Sequence, residues 1–201
     1  MKILNPNQSY TFSNIFSIKA EIDDLVTDFG YSLSRTKLNP TQFTGELRNV
    51  DQIQQKVEAL LPLASFSTEM ARRELLISEV VAGVAIHANA QIRIEYPLKV
   101  SEQLQGNLDY LLRKDKQVVV IEAKNEDFVN GMKQLVVEMI ALDQWSESEQ
   151  ETLLGAITTG SFWQFAQLNS ARKLIEQGFE NYRFPEDVEI LLRILIQALT
   201  G

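Results

Sequence analysis

With no cysteine and a single histidine, His87, the chain holds neither a thiolate nucleophile nor the ligands of a Cys/His zinc site. Reaction chemistry therefore falls to carboxylates, lysines and hydroxyls, and a metal held by such residues takes oxygen donors, the set preferred by Mg²⁺, Mn²⁺ and Ca²⁺. One group of charges sits where charges are costly. Residues 117–124 read Gln-Val-Val-Val-Ile-Glu-Ala-Lys, an apolar run that closes on Glu122 and Lys124. A strand apolar on both faces is a central one, covered from both sides. Its period of two puts Glu122 and Lys124 on the face that also carries Val118 and Val120. The preceding apolar segment, residues 106–112, holds an acid in a similar setting, Asp109, and the polar stretch Arg113, Lys114, Asp115 and Lys116 between the two reads as a hairpin turn. Facing residues of a hairpin have numbers with a constant sum, and a turn centred there sets Asp109 against Glu122, with Cβ atoms roughly 5 Å apart. Two carboxylates so placed repel, and partial burial raises the cost unless something positive joins them. A divalent cation would do so, with Lys124 one pleat further along. An acid-x-Lys tripeptide alone is a weak signal; its place at the end of an apolar strand, beside an acid in register, gives it weight. The competing reading is a structural ion cluster.

The elements that hold this trio follow from hydrophobic period. The 201 residues, 45% apolar and 23% charged, suffice for one domain of ordinary size with a small N-terminal extension. Ile18, Ile22, Leu25, Val26 and Phe29 recur at helical spacing, with Ser17 placed to cap the helix and Gly30 to stop it. A second short helix runs through Ile53, Val57, Leu60 and Leu61 to Pro62, and the segment between is more strand-like. Residues 1–64 thus form a lead-in subdomain, followed by a main domain over 65–201. In the latter, a helix spans about 67–85, with Ser67 as N-cap and Glu69 in its first turn. Ile92, Ile94 and Tyr96 then alternate as in a half-buried strand, the hairpin follows, and a helix carries Phe128, Met132, Leu135, Val136, Met139 and Ile140 on one face. Strands over 153–159 and 162–168 flank Gly160, and a last helix opens at Pro185 with Val188, Leu191, Leu192, Leu195 and Leu199 along its apolar stripe. The class is α/β: helix, three strands, helix, strands, with a mixed central sheet flanked by helices, N-terminal lead-in helices and a C-terminal helix.

This ordered set resembles the PD-(D/E)XK nuclease superfamily, whose fold is restriction-endonuclease-like. The resemblance covers roughly residues 67–168 and rests on Gly-Asn-Leu-Asp109-Tyr, Ile-Glu122-Ala-Lys124, Met-Lys-Gln134-Leu and Ile-Thr-Thr-Gly160-Ser-Phe-Trp163. The family's leading proline is absent, since Asp109 follows Leu108. The resemblance implies that Asp109, Glu122 and the Ala123 carbonyl bind Mg²⁺, with Mn²⁺ as substitute, and that Lys124 orients or helps deprotonate the attacking water and stabilises the phosphorane. The family also places an inward Glu on the first core helix. Glu79 fills that place here, because Leu75, Leu76, Ala82 and Gly83 surround it at helical spacing, whereas Glu74 lies on a more polar flank beside Arg73. Gln134 is read as lining the site from the following helix. His87 reads as a cap or packed residue, Trp163 as core, and Arg72, Arg73 and Lys133 as charged helix faces within reach of phosphates.

The implied activity is Mg²⁺-dependent endonucleolytic phosphodiester hydrolysis of nucleic acid, DNA before RNA. Two other readings compete with it: a catalytically silent nuclease-fold protein that binds nucleic acid or a protein partner, and an interaction protein with a structural ion network. The formal charge of −8 gives no long-range pull on nucleic acid, so contact must be local. A homodimer is expected on this account and because many nucleases of the fold are dimers. No apolar run approaches the ~18 residues of a membrane span, and no targeting pattern opens the chain, so a cytoplasmic protein is expected.

Overall fold

The computed structural model describes residues 3–5, 7–16, 18–124, 127–145 and 150–201. Its elements are α1 (Phe12–Phe16), α2 (Ile22–Asp28), β1 (Ser32–Thr36), α3 (Val50–Leu60), α4 (Glu69–Arg72), a π-helical turn (Arg73–Ile77) and α5 (Ser78–Ala88). There follow β2 (Gln91–Lys99), β3 (Gln105–Lys114), β4 (Gln117–Ala123), α6 (Phe128–Gln144), β5 (Thr152–Thr158), β6 (Phe162–Asn169), β7 (Leu174–Gly178), β8 (Tyr182–Arg183) and α7 (Val188–Thr200). Eight strands form one mixed sheet in the order β1-β7-β6-β5-β4-β3-β2, with β8 pairing β6. Helices α1, α2 and α6 cover one face, and α3, α5 and α7 cover the other.

The centre of the sheet is β4, antiparallel to β3 and parallel to β5. Its β-branched run buries Val118 and Val120 under α6 and Val119 and Ile121 under α7 and α5, as a two-sided apolar strand requires. The chain returns from β4 to parallel β5 through α6, whose N-cap, Asp127, accepts a hydrogen bond from the Asn130 N–H at 3.0 Å. Residues 131–142 of α6 are buried all round, because the sheet lies on one side and α1 and α2 on the other. Gly155 of β5 permits this closeness, since a Cβ there would lie 2.6 Å from Met139 Sδ.

The β3–β4 hairpin has the register expected: facing pairs from Lys114↔Gln117 to Tyr110↔Ile121 all sum to 231. Asp115, at φ 54, turns the chain, a left-handed conformation that Asp tolerates better than most residues. Other boundaries differ. Helix α2 begins at Ile22 rather than Ile18, and the cap assigned to Ser17 lies outside the described residues. The helix expected over 67–85 is capped by Thr68, whose Oγ1 accepts from the Ala71 N–H at 3.1 Å, and the π turn interrupts it. Helix α7 starts at Val188, with Pro185 in the turn before it. Strand β2 is a sheet edge, so Ile92 and Ile94 remain 41% and 58% exposed instead of half-buried. The N-terminal segment contributes to the same sheet and cores: β1 pairs in parallel with β7, Phe12 and Ile15 pack under α6, and Val57 of α3 joins the opposite face. Among the described residues no helix is long and apolar enough to cross a membrane.

Candidate active site

Where the β3–β4 ladder ends at Tyr110↔Ile121, the next residues, Asp109 and Glu122, face each other at the mouth of the hairpin. Asp109 closes the ladder with its side chain: Oδ2 accepts the Ala123 N–H at 2.8 Å. Its Oδ1 lies 3.3 Å from Arg73 Nη1. Glu122 is fully buried, and its Oε1 pairs with Lys124 Nζ. The Lys124 backbone N–H continues the parallel pairing to Thr158 O at 2.8 Å, and its aliphatic stem crosses Gly131 of α6, where a Cβ would lie 2.7 Å from Lys124 Cγ. Gly131 is thus the gap in α6 through which the lysine passes.

From the same helix Gln134 and Glu138, one turn apart, face the strand. Gln134 Nε2 donates to Glu138 Oε1 at 2.9 Å, and Glu138 is fully buried. The Glu122 and Glu138 carboxyls act on one another directly. Their alignment falls short of well-formed hydrogen bonds, which leaves Glu122 Oε1 and Oε2 and Glu138 Oε2 without an aligned partner. Proximity without alignment still couples the two acids, since like charges in a dry site repel over several ångströms.

The electrostatics follow from burial. Desolvation, then the charge of Asp109, pushes the Glu122 carboxyl up to about 8 against the opposing pull of Lys124. Desolvation, then Glu122, holds Glu138 well above the carboxylate range. Burial also raises Asp109, outweighing the Ala123 N–H and Arg73. For Lys124 burial works toward neutrality, but Glu122, Asp109 and Glu138 outweigh it and hold the ammonium protonated.

A hard divalent cation suits this donor set, because the donors are carboxylate oxygens and two of them, Glu122 Oε2 and Glu138 Oε2, have no hydrogen-bond partner among the described residues. Among the described residues no three acids or histidines are arranged to cage an ion as they stand. The reason is visible: Asp109 is turned to Arg73 and the Ala123 N–H, and Glu122 to Lys124.

Of the expected residues, the structure brings Asp109, Glu122, Ala123, Lys124 and Gln134 together. Glu79 does not join them. Its carboxylate takes Lys56 Nζ of α3 at 2.7 Å and lines a separate cleft of about 590 Å³ with Arg48, Glu46 and His87. Glu79 lies off the buried stripe of α5, which is Val80, Val81, Val84, Ala85 and Ala88, while Arg73, at the start of the π turn, faces Asp109. His87 packs edge-on against Phe43, centroids 5.3 Å apart. Trp163 is fully buried, its Nε1 donating to Gly160 O at 3.2 Å, which removes any base-stacking role. Arg72 Nε bonds to Phe66 O, and the Lys133 ammonium to Ile18 O, so Arg73 alone of the three cations enters the site.

Sequence reasoning passed over Glu138 and Arg73. Glu138 carried a usable signal, an acid inside Leu-Val-Val-Glu-Met-Ile-Ala-Leu. Arg73 carried none.

Comparison with known proteins finds no family model that matches the chain and no curated protein that matches it.

Proposed function

We propose that the protein is a nuclease of the PD-(D/E)XK type, which hydrolyses phosphodiester bonds of nucleic acid, DNA in the first place, with Mg²⁺ or Mn²⁺. The observation that carries the reading is the convergence of Asp109 and Glu122 at the mouth of one hairpin with Lys124 paired to Glu122. Asp109, Glu122 and the Ala123 carbonyl would hold the ion, which lowers the pKa of bound water and offsets charge on the phosphate. Lys124, held as an ammonium, directs its positive charge at the developing charge on phosphorus-bound oxygens and orients the nucleophile. Gln134 and Glu138 position Glu122 from behind, and the apolar walls of β4 and α6 keep water out. Restriction-endonuclease-like topology and a cytoplasmic location belong to the same reading.

The test is cleavage of supercoiled and linear DNA with Mg²⁺ or Mn²⁺, paired with calorimetric Mn²⁺ titration. Lys124→Ala should cut at a rate lower by about 10²-fold or more while still binding Mn²⁺. Undiminished cleavage by that variant would remove the assignment. A specific observation favours a second reading, the catalytically silent binding module: Arg73 sits on Asp109, a place an ion would need. Mn²⁺ binding by wild type that an Asp109→Ala, Glu122→Ala double variant loses, together with DNA cleavage, decides for the nuclease.

A further inference from the structure

Arg73 is the charge in the site that the nuclease reading does not use. Its Nη1 reaches two carboxylates of unequal hold: Glu95 Oε1 at 2.7 Å, the length of a strong charge-assisted bond, and Asp109 Oδ1 at 3.3 Å, at the slack end of the range. The guanidinium also lies over the Tyr110 ring, 5.1 Å from its centroid. Arg73 thus keeps two anchors, Glu95 and Tyr110, if it lets go of Asp109.

The backbone around this ion chain is built for it. Arg73 opens the π turn, an insertion that re-aims side chains and clusters at functional sites. Glu95 stands in mid-strand at φ 50, a left-handed conformation that costs a non-glycine residue free energy. The β2–β3 ladder skips there, from Ile94↔Tyr110 to Tyr96↔Leu108, leaving out the pair Glu95 and Asp109. Nothing in the packing demands that distortion, because Glu95 is half exposed on an edge strand. What it achieves is to bring a carboxylate to Arg73 beside Asp109.

We propose that Arg73 is a positioning residue that competes with the divalent cation for Asp109, with Glu95 as the seat onto which it is displaced when the cation binds. This rests on the nuclease reading of the site and names its control: the cation must outbid an internal arginine for one of its carboxylates. Arg73 lowers affinity for the ion, and Glu95 raises it by drawing Arg73 away.

The experiment is calorimetric titration of Mn²⁺ alone into the full chain as wild type, Arg73→Met, Glu95→Gln and the Asp109→Ala, Glu122→Ala control. Arg73→Met should bind Mn²⁺ about tenfold tighter or more, the affinity equivalent of one charge-assisted hydrogen bond. Glu95→Gln, a change at a half-exposed side chain that leaves folding intact, should bind several-fold more weakly, because Arg73 then leans on Asp109 alone. The opposite signs are the mark of competition; a purely structural ion chain would weaken binding in both variants. Mn²⁺ binding by wild type with Arg73→Met equal or weaker, or with Glu95→Gln equal or tighter, overturns the proposal and leaves the nuclease reading standing. Should Arg73→Met fail to fold, Arg73→Gln takes its place: tighter Mn²⁺ binding than wild type supports the competition, and equal or weaker binding overturns it. No binding by wild type or by either variant overturns the cation site itself and the competition with it.

Discussion

Glu138 faces Glu122 across the α6–β4 interface, one fully buried carboxyl against another, with Gln134 Nε2 donating to Glu138 Oε1. Such a pair cannot ionise twice in a dry site. Burial raises both acids, and Lys124 pairs with Glu122.

That arrangement sets a pH dependence of stability. Glu122 is raised from 4.5 to about 8 on folding, by desolvation first and Asp109 second. The folded state therefore binds more protons than the unfolded one between these values. Its contribution is fully present below pH 4.5 and is lost as pH rises through about 8. Thermal unfolding in EDTA should show a midpoint that falls steadily from pH 5 to pH 8, by the equivalent of about 1–3 kcal/mol. Glu138→Gln keeps the shape and the Gln134 contact but removes one of the two raised acids, so its decline should be shallower and its midpoint at pH 8 higher than wild type. Parallel curves for the two proteins would mean that folding does not raise the Glu138 carboxyl.

Gly131 separates catalytic geometry from stability. Alanine in a helix interior gains about 1 kcal/mol over glycine. Here its Cβ would lie 2.5 Å from Ile157 Cδ1 and 2.7 Å from Lys124 Cγ, so both must move. Gly131→Ala should unfold within about 1–2 kcal/mol of wild type, the helix gain offsetting the overpacking. On the nuclease reading it should lose about tenfold or more of cleavage, because an ångström of displacement at Lys124 spoils its alignment. Wild-type cleavage by Gly131→Ala would show that the Lys124 stem has room the structure denies it.

The central strand, its hairpin register and the buried Glu122 were legible because β4 is apolar on both faces and its partner acid lies at a fixed count from a polar turn. Helix α6 was legible as a helix but not as a buried one, since its second cover comes from α1 and α2, far away in sequence. The strand-like segment between the first two helices holds β1, but its parallel partner β7, 142 residues away at Ser32↔Leu174, was not read as a strand. The site's missing half has one cause. Spacing did not show which face of the helix meets the sheet: the buried stripe is Val80, Val81, Val84, Ala85 and Ala88, which turns Glu79 to Lys56 and leaves Arg73 to face Asp109.

Gln150 completes the central strand where the sheet does not. Its Oε1 accepts the Val118 N–H at 2.8 Å and its Nε2 donates to Val118 O at 3.0 Å, so the amide serves as one more rung just before β5 pairing begins at Val119↔Leu154. Val118 is fully buried, and truncation strands a donor and an acceptor. Gln150→Ala should cost about 2–4 kcal/mol, two orphaned backbone groups at about 1–2 each, measured by urea unfolding. A loss under 0.5 kcal/mol would mean that water reaches Val118.

The edge of the sheet is tied to α6 by a polar triad. Asp143 Oδ2 accepts from Tyr31 Oη and from Lys173 Nζ, each at 2.5 Å, joining the residue before β1, the end of α6 and the residue before β7. Burial works to raise the Asp143 carboxyl, but the bonds from Lys173, Ser170 and Tyr31 outweigh it and hold the group below its ordinary value of 3.8. A depressed carboxylate contributes stability that is present above its unfolded value and lost as pH falls through its folded one. The triad should therefore support β1 and β7 at neutral pH and release them only as pH falls below the ordinary value of 3.8. Asp143→Ala should cost about 1–3 kcal/mol at pH 7, since it leaves the Tyr31 hydroxyl short of an acceptor, and less at an acid pH below that value. Hydrogen exchange should show the loss first in β1 and β7, the strands the triad anchors. An equal cost at both pH values would assign the effect to packing at Asp143 and not to its charge.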